Sequence, residues 1–391
     1  MTNAPTPRLQ QFDHSHLQMR QLLREFVDFH WRHYGADRQY IPQLDPEYLG
    51  SRLLGITGYF ERRHHFFANG EMTWLLARAG GEVVGRCTAF INRLHNQRWH
   101  DRTGFVGFFE SVESEEVASM LLEAAAVWLQ ERGMNTMRGP QNLPTNESTP
   151  GLLTAGFDSR PVIYYHYCKP YYQRLFEGAG MQPAKRVRSW EVPVMTPVEE
   201  KLVRVSELVR KRRRVTIEAW TERSVDERKS GMLDVYNDAW DDNYGFVPFS
   251  AEEFSGIVDD MLLVMDKKSF SFAYVNGELA AFFGAIPNIV EKMRPVRWLP
   301  RWELLRAARM FLRKGSVRGT RLGYLGVKKR FRNLGLEGVL LLEQKRYHQE
   351  HGYDYTDIGW VLEDNLPVLS LVEMMNGAES KTYTIYERVL S

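Results

Sequence analysis

The feature that most constrains the fold is a faint repeat of the chain onto itself. Gly133 and Asn146 in the first half are separated by the same distance as Gly352 and Asn365 in the second, and the two segments are 219 residues apart. In each half an apolar-periodic helix ends at the glycine, and a strand and a loop then lead to the asparagine. Such a chain is expected to fold as two similar units.

A second correspondence between the halves is a pair of hairpin turns. Residues 80–82 (GGE) and 276–278 (NGE) each separate two apolar stretches, which is the pattern of a tight turn between antiparallel strands. Both halves therefore follow the order helix, strand hairpin, strand, helix, strand, helix, strand. A length of 391 residues also favours two domains, and we expect them to span residues 1–200 and 201–391.

The charge and the cysteine content exclude several classes of protein. A net charge of +2 is too small to indicate a nucleic-acid surface, and the basic run 209–214 is interpreted as the solvated end of a helix near the domain boundary. Cys87 and Cys168 match no disulfide or metal-ligand pattern. Since no signal-peptide core and no run of eighteen apolar residues is present, the sequence predicts a cytoplasmic protein with no metal and no membrane span.

The segment 324–340 has the pattern of an anion-binding loop. It reads as a strand, a basic loop that contains glycine, and the start of a helix. Glycine lets the backbone approach a phosphate closely, and the first amides of a helix and its dipole favour a negative charge. Arg330 and Arg332 add full positive charges. The sequence therefore predicts a pyrophosphate site at this loop.

The same segment resembles the coenzyme signature of the GNAT (GCN5-related) N-acyltransferases, Gln/Arg-x-x-Gly-x-Gly/Ala. Arg332 and Gly335 match it, whereas Glu337 stands where a small residue is usual and would repel a pyrophosphate unless it points away. The resemblance implies an α/β fold of two tandem GNAT domains, each a mixed central sheet flanked by helices, with acyl-CoA as co-substrate. It also implies these coenzyme-binding residues: Leu325, Val327, Arg330, Arg332, Asn333, Gly335, Leu336, Gly338 and Asn365.

The first half differs at the corresponding loop. Residues 110–116 (ESVESEE) are acidic and contain no glycine, so this domain is expected to have lost coenzyme binding. Its segment 138–172 is similar to a family of bacterial tandem GNAT proteins and to the bacterial ceramide synthases. The resemblance implies that the first domain recognises the acceptor.

Acyl transfer to an amine requires a group that removes the ammonium proton. Glu147, which follows Asn146 where the strands of this fold diverge, is the first candidate, and Glu110 at the end of an earlier strand is the second. Alternatively, each carboxylate caps an amide or pairs with an arginine, and the asparagine forms a turn. The tyrosine that many GNAT enzymes use as an acid is absent, since Phe176 and Val372 stand at the equivalent positions.

An insertion at residues 288–320 replaces the short turn of an ordinary GNAT domain. In a helix, Arg306, Arg309 and Arg313 would form one stripe while the other faces are apolar. Such a helix with nearby tryptophans suits the surface of an anionic membrane. Packing against the domain or against a second subunit explains the pattern equally well.

The sequence thus predicts an acyl-CoA-dependent N-acyltransferase that acts on a primary amine, with a long-chain sphingoid base as the leading acceptor. It predicts no nucleic-acid partner, and it allows peripheral contact with the inner face of the membrane. One alternative is a small-molecule or peptide N-acetyltransferase. The other is a non-catalytic CoA-sensing or lipid-binding protein.

Overall fold

The structure is a computed structural model that describes residues 6–292 and 316–391, apart from residues 36, 38, 54, 147 and 199 and the side chain of residue 201. The described residues form two compact units. Unit 1 comprises residues 6–187 and 381–391, and unit 2 comprises residues 188–292 and 316–380.

Unit 1 is built on a mixed sheet. Its elements are β1 (Arg8–Phe12), α1 (Met19–His33), α2 (Asp45–Leu49), α3 (Phe66–Asn69), β2 (Gly70–Ala79), β3 (Glu82–Asn92), α4 (Arg93–Trp99), β4 (Thr103–Ser111), α5 (Glu115–Gln130), β5 (Thr136–Gly139), β6 (Leu152–Ala155), α6 (Tyr172–Gly178), the first part of β7 (Gln182–Pro193) and most of β13 (Ala378–Val389). The strand order is β1-β2-β3-β4-β5-β13, with β6 also on β13. β4 and β5 are parallel, and the neighbouring pairs are antiparallel.

Unit 2 repeats this arrangement. Its elements are the end of β7, α7 (Glu200–Arg213), β8 (Val215–Ala219), α8 (Val225–Trp240), α9 (Ala251–Val264), β9 (Phe270–Val275), β10 (Glu278–Pro287), β11 (Gly319–Val327), α10 (Leu336–Glu350), β12 (Tyr355–Leu362) and α11 (Leu366–Met374). The strand order is β7-β12-β11-β10-β9-β8. Here β11 and β12 are the parallel pair. The expected α/β fold, a mixed sheet flanked by helices in each half, is confirmed.

Both predicted hairpin turns are present. Gly80 and Gly81 have φ of 59° and 87°, and Asn276 and Gly277 have φ of 51° and 84°. Two successive residues with positive φ match the right-handed twist of the flanking strands, and glycine and asparagine tolerate this conformation best. The turns set the register of β2 on β3 and of β9 on β10.

Helical periodicity places an apolar face of α1 on the sheet of unit 1. Leu22, Leu23, Phe26 and Val27 are buried at the spacing of one helix face. They join an aromatic core that includes Trp74. Full burial of each such side chain contributes about 1.5–3 kcal/mol. The packing fixes the end of α1 near the end of β4, where polar side chains meet.

The division into units differs from the expected boundary after residue 200. Unit 2 begins at Arg188, inside β7, while Lys381–Ser391 belong to unit 1. The reason is that β13 pairs with β5 and β6, for example Tyr386 with Gly139. Pairing between strands so distant in sequence leaves no local signal in composition.

The predicted amphipathic helix of the insertion falls on residues 293–315, which lie outside the described residues. Among the helices that the structure does describe, none combines the length and the apolar character needed to cross a bilayer.

Candidate active site

Two parallel strands of unit 2 diverge at the point where the sequence places the coenzyme. β11 and β12 pair from Gly319 with Tyr355 to Leu322 with Ile358, and no pairing between them is described beyond these residues. On its other edge β11 stays paired with β10 as far as Val327. We refer to the divergent stretch as the β11–β12 opening. Backbone groups along a stretch of strand can hydrogen-bond an extended ligand where no other strand pairs with them.

The predicted residues Leu325 and Val327 lie on this stretch of β11, on either side of Gly326. A Cβ atom on Gly326 would lie 2.4 Å from Cζ3 of Trp240. The Trp240 ring is stacked on Tyr236, with the ring centroids 4.3 Å apart. Glycine is therefore required here by the packing of an indole over the strand, a reason that the sequence pattern did not reveal.

The predicted anion-binding loop follows β11 and leads into α10. Asn333 and Gly335 have φ of 65° and 79°, and Gly335 is the residue before the first turn of α10. This left-handed conformation exposes the amides of the first turn without a side-chain cap. The loop geometry therefore suits a phosphate at the helix N-terminus.

The two lysines of the loop are already paired with carboxylates in α8 and directly after its end. Lys328 Nζ lies 2.6 Å from Asp234, and Lys329 Nζ lies 2.8 Å from Asp241 and 3.0 Å from Asp242. We call Asp234, Asp238, Asp241 and Asp242 the acidic strip. The predicted Arg332 lies 3.7 Å from Asp242 and donates to the carbonyl of Ala239, and the predicted Arg330 pairs with Glu278. An incoming phosphate must therefore compete with these carboxylates.

Three further predicted coenzyme residues lie at helix starts. A Cβ on Gly338 would lie 3.1 Å from Leu202 Cδ1 of α7, so the small residue also serves helix packing. Leu336 is the first residue of α10 and is buried. Asn365 precedes α11 and makes no side-chain capping bond there.

A cavity in unit 2 starts where the β11–β12 opening starts. It encloses about 310 Å³ of empty space, part of it open to solvent. Its lining includes the last paired residues of the two strands, Leu322 and Ile358, together with Phe283 and Leu341. The polar side chains of Gln344 and Lys345 also line it. Burial lowers the pKa of Lys345, whose Nζ lies 3.0 Å from Thr196 Oγ1.

In unit 1 the corresponding strands also diverge, but the chain itself fills the gap. β4 pairs with β5 only as far as Phe105 with Arg138. The amide of Gln141 then donates to the carbonyl of Val106 at 2.8 Å, and Asn142 Oδ1 accepts from the amide of Phe108 at 2.6 Å. We refer to this place as the β4–β5 opening. Its backbone groups are satisfied by residues of the same unit.

The predicted base Glu110 lies near the end of β4 in a buried polar cluster. Tyr34 and Tyr172 both donate hydrogen bonds to Glu110 Oε2. Arg86 lies 3.9 Å from Glu110 Oε1, and His33 Nε2 lies 2.8 Å from the Tyr172 hydroxyl. We call these five residues the Glu110 cluster. Only 12% of the Glu110 side chain is exposed.

Burial raises the pKa of Glu110 to about 7, against the opposing effects of Arg86, the two tyrosine hydrogen bonds and Lys169. Burial likewise lowers the pKa of His33 to about 4. A carboxyl with a pKa near neutrality exchanges protons readily at physiological pH. The Glu110 cluster therefore has the properties of a general base.

Four members of the Glu110 cluster were missed by the sequence reasoning. Arg86 was the one detectable signal, because a charged residue inside the apolar strand β3 requires a buried partner. Tyr34, Tyr172 and His33 come from α1 and α6 and carry no local motif. The first candidate base, Glu147, lies outside the described residues, and its neighbour Asn146 is partly buried in a turn.

His166 lies beside the β4–β5 opening. Its Nε2 is 2.6 Å from Ser148 Oγ and 3.3 Å from Asn142 Nδ2. Burial lowers the pKa of His166 to about 4, so its ring is neutral at physiological pH. Its hydrogen bonds help to hold the segment that fills the opening.

Comparison with known proteins extends over almost the whole chain. No family model matches the sequence. The protein YghO of Escherichia coli K12 is 27% identical over 389 residues, which cover 94% of this chain and 92% of that protein. A bacterial ceramide synthase of Caulobacter vibrioides is 28% identical over 344 residues, which cover 83% of this chain and 85% of that protein.

A solved structure supports the assignment of the fold. A tandem GNAT protein from the clavulanic acid biosynthesis pathway matches with a TM-score of 0.55 at 10% identity, and the match covers 98% of this chain and 99% of that one. The chain therefore has the fold of two tandem GNAT domains, and it is similar to these relatives along nearly its full length.

Proposed function

We propose that the protein transfers an acyl group from acyl-CoA to the amine of a long-chain acceptor such as a sphingoid base. The observation that carries the transferase reaction is the β11–β12 opening, where the described pairing of the two strands ends, together with the N-terminus of α10 that follows β11. The choice of acceptor is supported by the similarity to the bacterial ceramide synthase. The GNAT fold implies the use of acyl-CoA.

In this proposal unit 2 holds the coenzyme. The backbone of β11 around Leu325 and Val327 binds the extended arm, as a neighbouring strand would. The first-turn amides of α10 bind the pyrophosphate, with Asn333 and Gly335 shaping the loop. Arg330, Arg332 and Asn365 contribute polar contacts, and the two arginines exchange their present partners for phosphate oxygens.

The cavity beside the opening receives the acyl chain. Its apolar lining matches a hydrocarbon chain, and Leu322 and Ile358 connect it to the start of the opening. The space within the cavity that a water-sized group can occupy is about 20 Å³, which is enough for about one water molecule. An acyl chain therefore enters only if side chains of the lining move.

Glu110 accepts the proton of the amine. An alkyl ammonium has a pKa of about 10.4, so forming the free amine at pH 7 costs about 4 to 5 kcal/mol. A carboxylate with a pKa of about 7 is strong enough as a base to share that cost and weak enough to release the proton afterwards. Glu147, the first candidate base, remains the alternative to Glu110 in this proposal, and its neighbour Asn146 remains a candidate catalytic residue.

We further propose that the enzyme works in the cytoplasm at the inner face of the membrane, where a long-chain amine resides. The support is the pattern of arginines and apolar residues within 288–320.

The test is release of free CoA thiol from acyl-CoAs of two to eighteen carbons, each offered with a sphingoid base, a soluble primary amine, or no amine. Thiol release that requires the sphingoid base, together with an N-acylated product in the mass spectrum, supports the proposal. Turnover restricted to acetyl-CoA and soluble amines would instead identify a small-molecule N-acetyltransferase.

A non-catalytic coenzyme- or lipid-binding role is the second candidate. It is favoured by the acidic strip, which pairs with loop cations that a pyrophosphate would use. Calorimetry with non-hydrolysable acyl-CoA separates the two. Binding without turnover for any amine of the panel supports this role and contradicts the transferase.

A further inference from the structure

Tyr172 connects Glu110 to a histidine at the end of α1. Its hydroxyl lies 2.7 Å from Glu110 Oε2 and 2.8 Å from His33 Nε2. The amide of Ser111 donates to the same hydroxyl at 3.0 Å. Tyr172 itself is fully buried, whereas His33 is partly exposed. The three side chains therefore form a continuous path from a buried carboxyl toward solvent.

The hydroxyl has one hydrogen, which can point at only one of its two partners. When Glu110 is a carboxylate, Tyr172 donates to it and His33 donates to Tyr172 through Nε2–H. When Glu110 is protonated, it donates to Tyr172, and Tyr172 donates to an unprotonated Nε2 of His33. Both arrangements satisfy every group, so the same positions serve both protonation states of Glu110.

We propose that Tyr172 and His33 relay the proton of Glu110 to solvent and so regenerate the carboxylate. The inference rests on the proposed role of Glu110 as base. The Glu110 proton moves to the Tyr172 oxygen as the hydroxyl proton moves to His33 Nε2, which leaves a carboxylate, an intact phenol and an imidazolium. His33 then loses its Nδ1 proton to water. Exchange with water later returns the neutral ring to its Nδ1–H form.

The charges around His33 favour rapid loss of the proton. Lys169 and Arg86 both disfavour an imidazolium, while Asp37 favours it. Asp37 is itself paired with Lys169 at 2.8 Å. Tyr34 donates to Glu110 and stabilises the carboxylate that remains. The proton therefore passes through His33 and does not stay there.

The test is chemical rescue. His33→Ala should lower kcat about tenfold or more, and added imidazole should restore most of that loss because it replaces the missing proton carrier. Tyr172→Phe should lower kcat to a similar degree without rescue by imidazole, since the path then lacks its middle hydroxyl. His64→Ala is the matched control: His64 is a buried histidine of unit 1 whose ring packs on His65 and Tyr59, and its kcat should not respond to imidazole.

The outcomes separate the relay from the base. If Glu110→Gln keeps the wild-type kcat, the proposed base is wrong and the relay fails with it. If Glu110→Gln is inactive but His33→Ala keeps its kcat, or loses kcat with no response to imidazole, the relay alone is overturned. Should His33→Ala not fold, His33→Gln preserves the bulk, and a solvent isotope effect on its kcat no larger than that of the wild type overturns the relay.

Discussion

The two openings show how one fold gives two different sites. In unit 2, the described pairing of β11 with β12 ends at Leu322, and a glycine-containing loop and a helix N-terminus follow β11. In unit 1, Gln141 and Asn142 bond to β4 at the same place, and an acidic loop follows. The difference teaches that the fold supplies the divergence of the strands, whereas a few residues decide whether a ligand or the chain occupies it.

Unit 1 has a polar cluster where unit 2 has glycine. The eighth residue of β4 is Glu110, and the eighth residue of β11 is Gly326 under the Trp240 ring. The same position of the fold therefore carries a titrating side chain in one unit and a glycine packed under an indole in the other. The experiments below test this division of roles.

The largest expected effect is that of Glu110→Gln. Loss of a general base should lower kcat by about 100- to 10,000-fold and remove the pH dependence near pH 7, while the KM for acyl-CoA stays within about twofold. Steady-state kinetics between pH 5.5 and 9 measure this. A normal kcat and pH profile would assign the base to another residue, with Glu147 as the next candidate.

Stability provides an independent readout of Glu110. Because its pKa of about 7 exceeds the ordinary 4.5, the folded state binds the proton more tightly than the unfolded state. The contribution of Glu110 to the stability should therefore decline as the pH rises from about 4.5 to 7, by at most about 3 kcal/mol. It is measured as the difference between the wild type and Glu110→Gln, because the histidines with a lowered pKa, such as His33 and His166, act in the opposite direction in both proteins. Glu110→Gln should lack this decline in urea unfolding. Parallel curves for both proteins would show that the pKa is ordinary.

A crossed pair of asparagine variants comes next. Asn142→Ala leaves the Phe108 amide without its partner and should lower the free energy of unfolding by about 1–3 kcal/mol with no change in the KM for acyl-CoA. Asn365→Ala removes no capping bond, so it should change the KM for acyl-CoA but not the free energy of unfolding. Denaturation and kinetics on both variants decide. The opposite outcome would exchange the roles of the two openings.

Gly335→Ala should raise the KM for acyl-CoA about tenfold. A Cβ at φ of 79° costs about 1–2 kcal/mol, and the loop relieves it by moving away from the phosphate-binding shape. Gly352→Ala is the matched control, because Gly352 has φ of 73° at the far end of α10. Equal changes in KM for both variants would mean that backbone strain alone, and not the loop, determines the effect.

The smallest expected effect concerns the acidic strip. Asp242→Asn removes one of the two carboxylate partners of Lys329 and the carboxylate beside Arg332, and it should lower the KM for acyl-CoA about two- to fivefold at low salt. Asp259→Asn on α9 breaks a comparable pair with Lys229 of α8 and serves as the control. A higher KM in Asp242→Asn would indicate that the strip positions the cations for the coenzyme.

Local signals made the fold and the coenzyme loop predictable. The turns at residues 80–81 and 276–277 and the loop ending at Gly335 each depend on adjacent residues whose conformations sequence rules describe. The Glu110 cluster was not predictable, because Tyr34 and Tyr172 reach Glu110 from 76 and 62 residues away. The closure of the β4–β5 opening was equally hidden, since Asn142 reads as a turn residue until its bond to Phe108 is seen.

The acidic strip illustrates the same limit. Asp234, Asp238, Asp241 and Asp242 have the spacing of one helix face, which a sequence reveals. Their partners on the loop are 88 residues away for Lys329 and Asp241, so only the structure shows that the two charge clusters meet.

The late position of β13 in the chain affects folding during synthesis. β5 can pair with β13 only after Tyr386, the partner of Gly139, has been synthesised roughly 250 residues later. At a synthesis rate of about 5–20 residues per second, the ribosome needs about 12 to 50 s for that stretch. During this time the edge of β5 is open to other nascent chains. A chaperone that shields sheet edges should therefore raise the yield of folded protein more than one that acts on the finished chain.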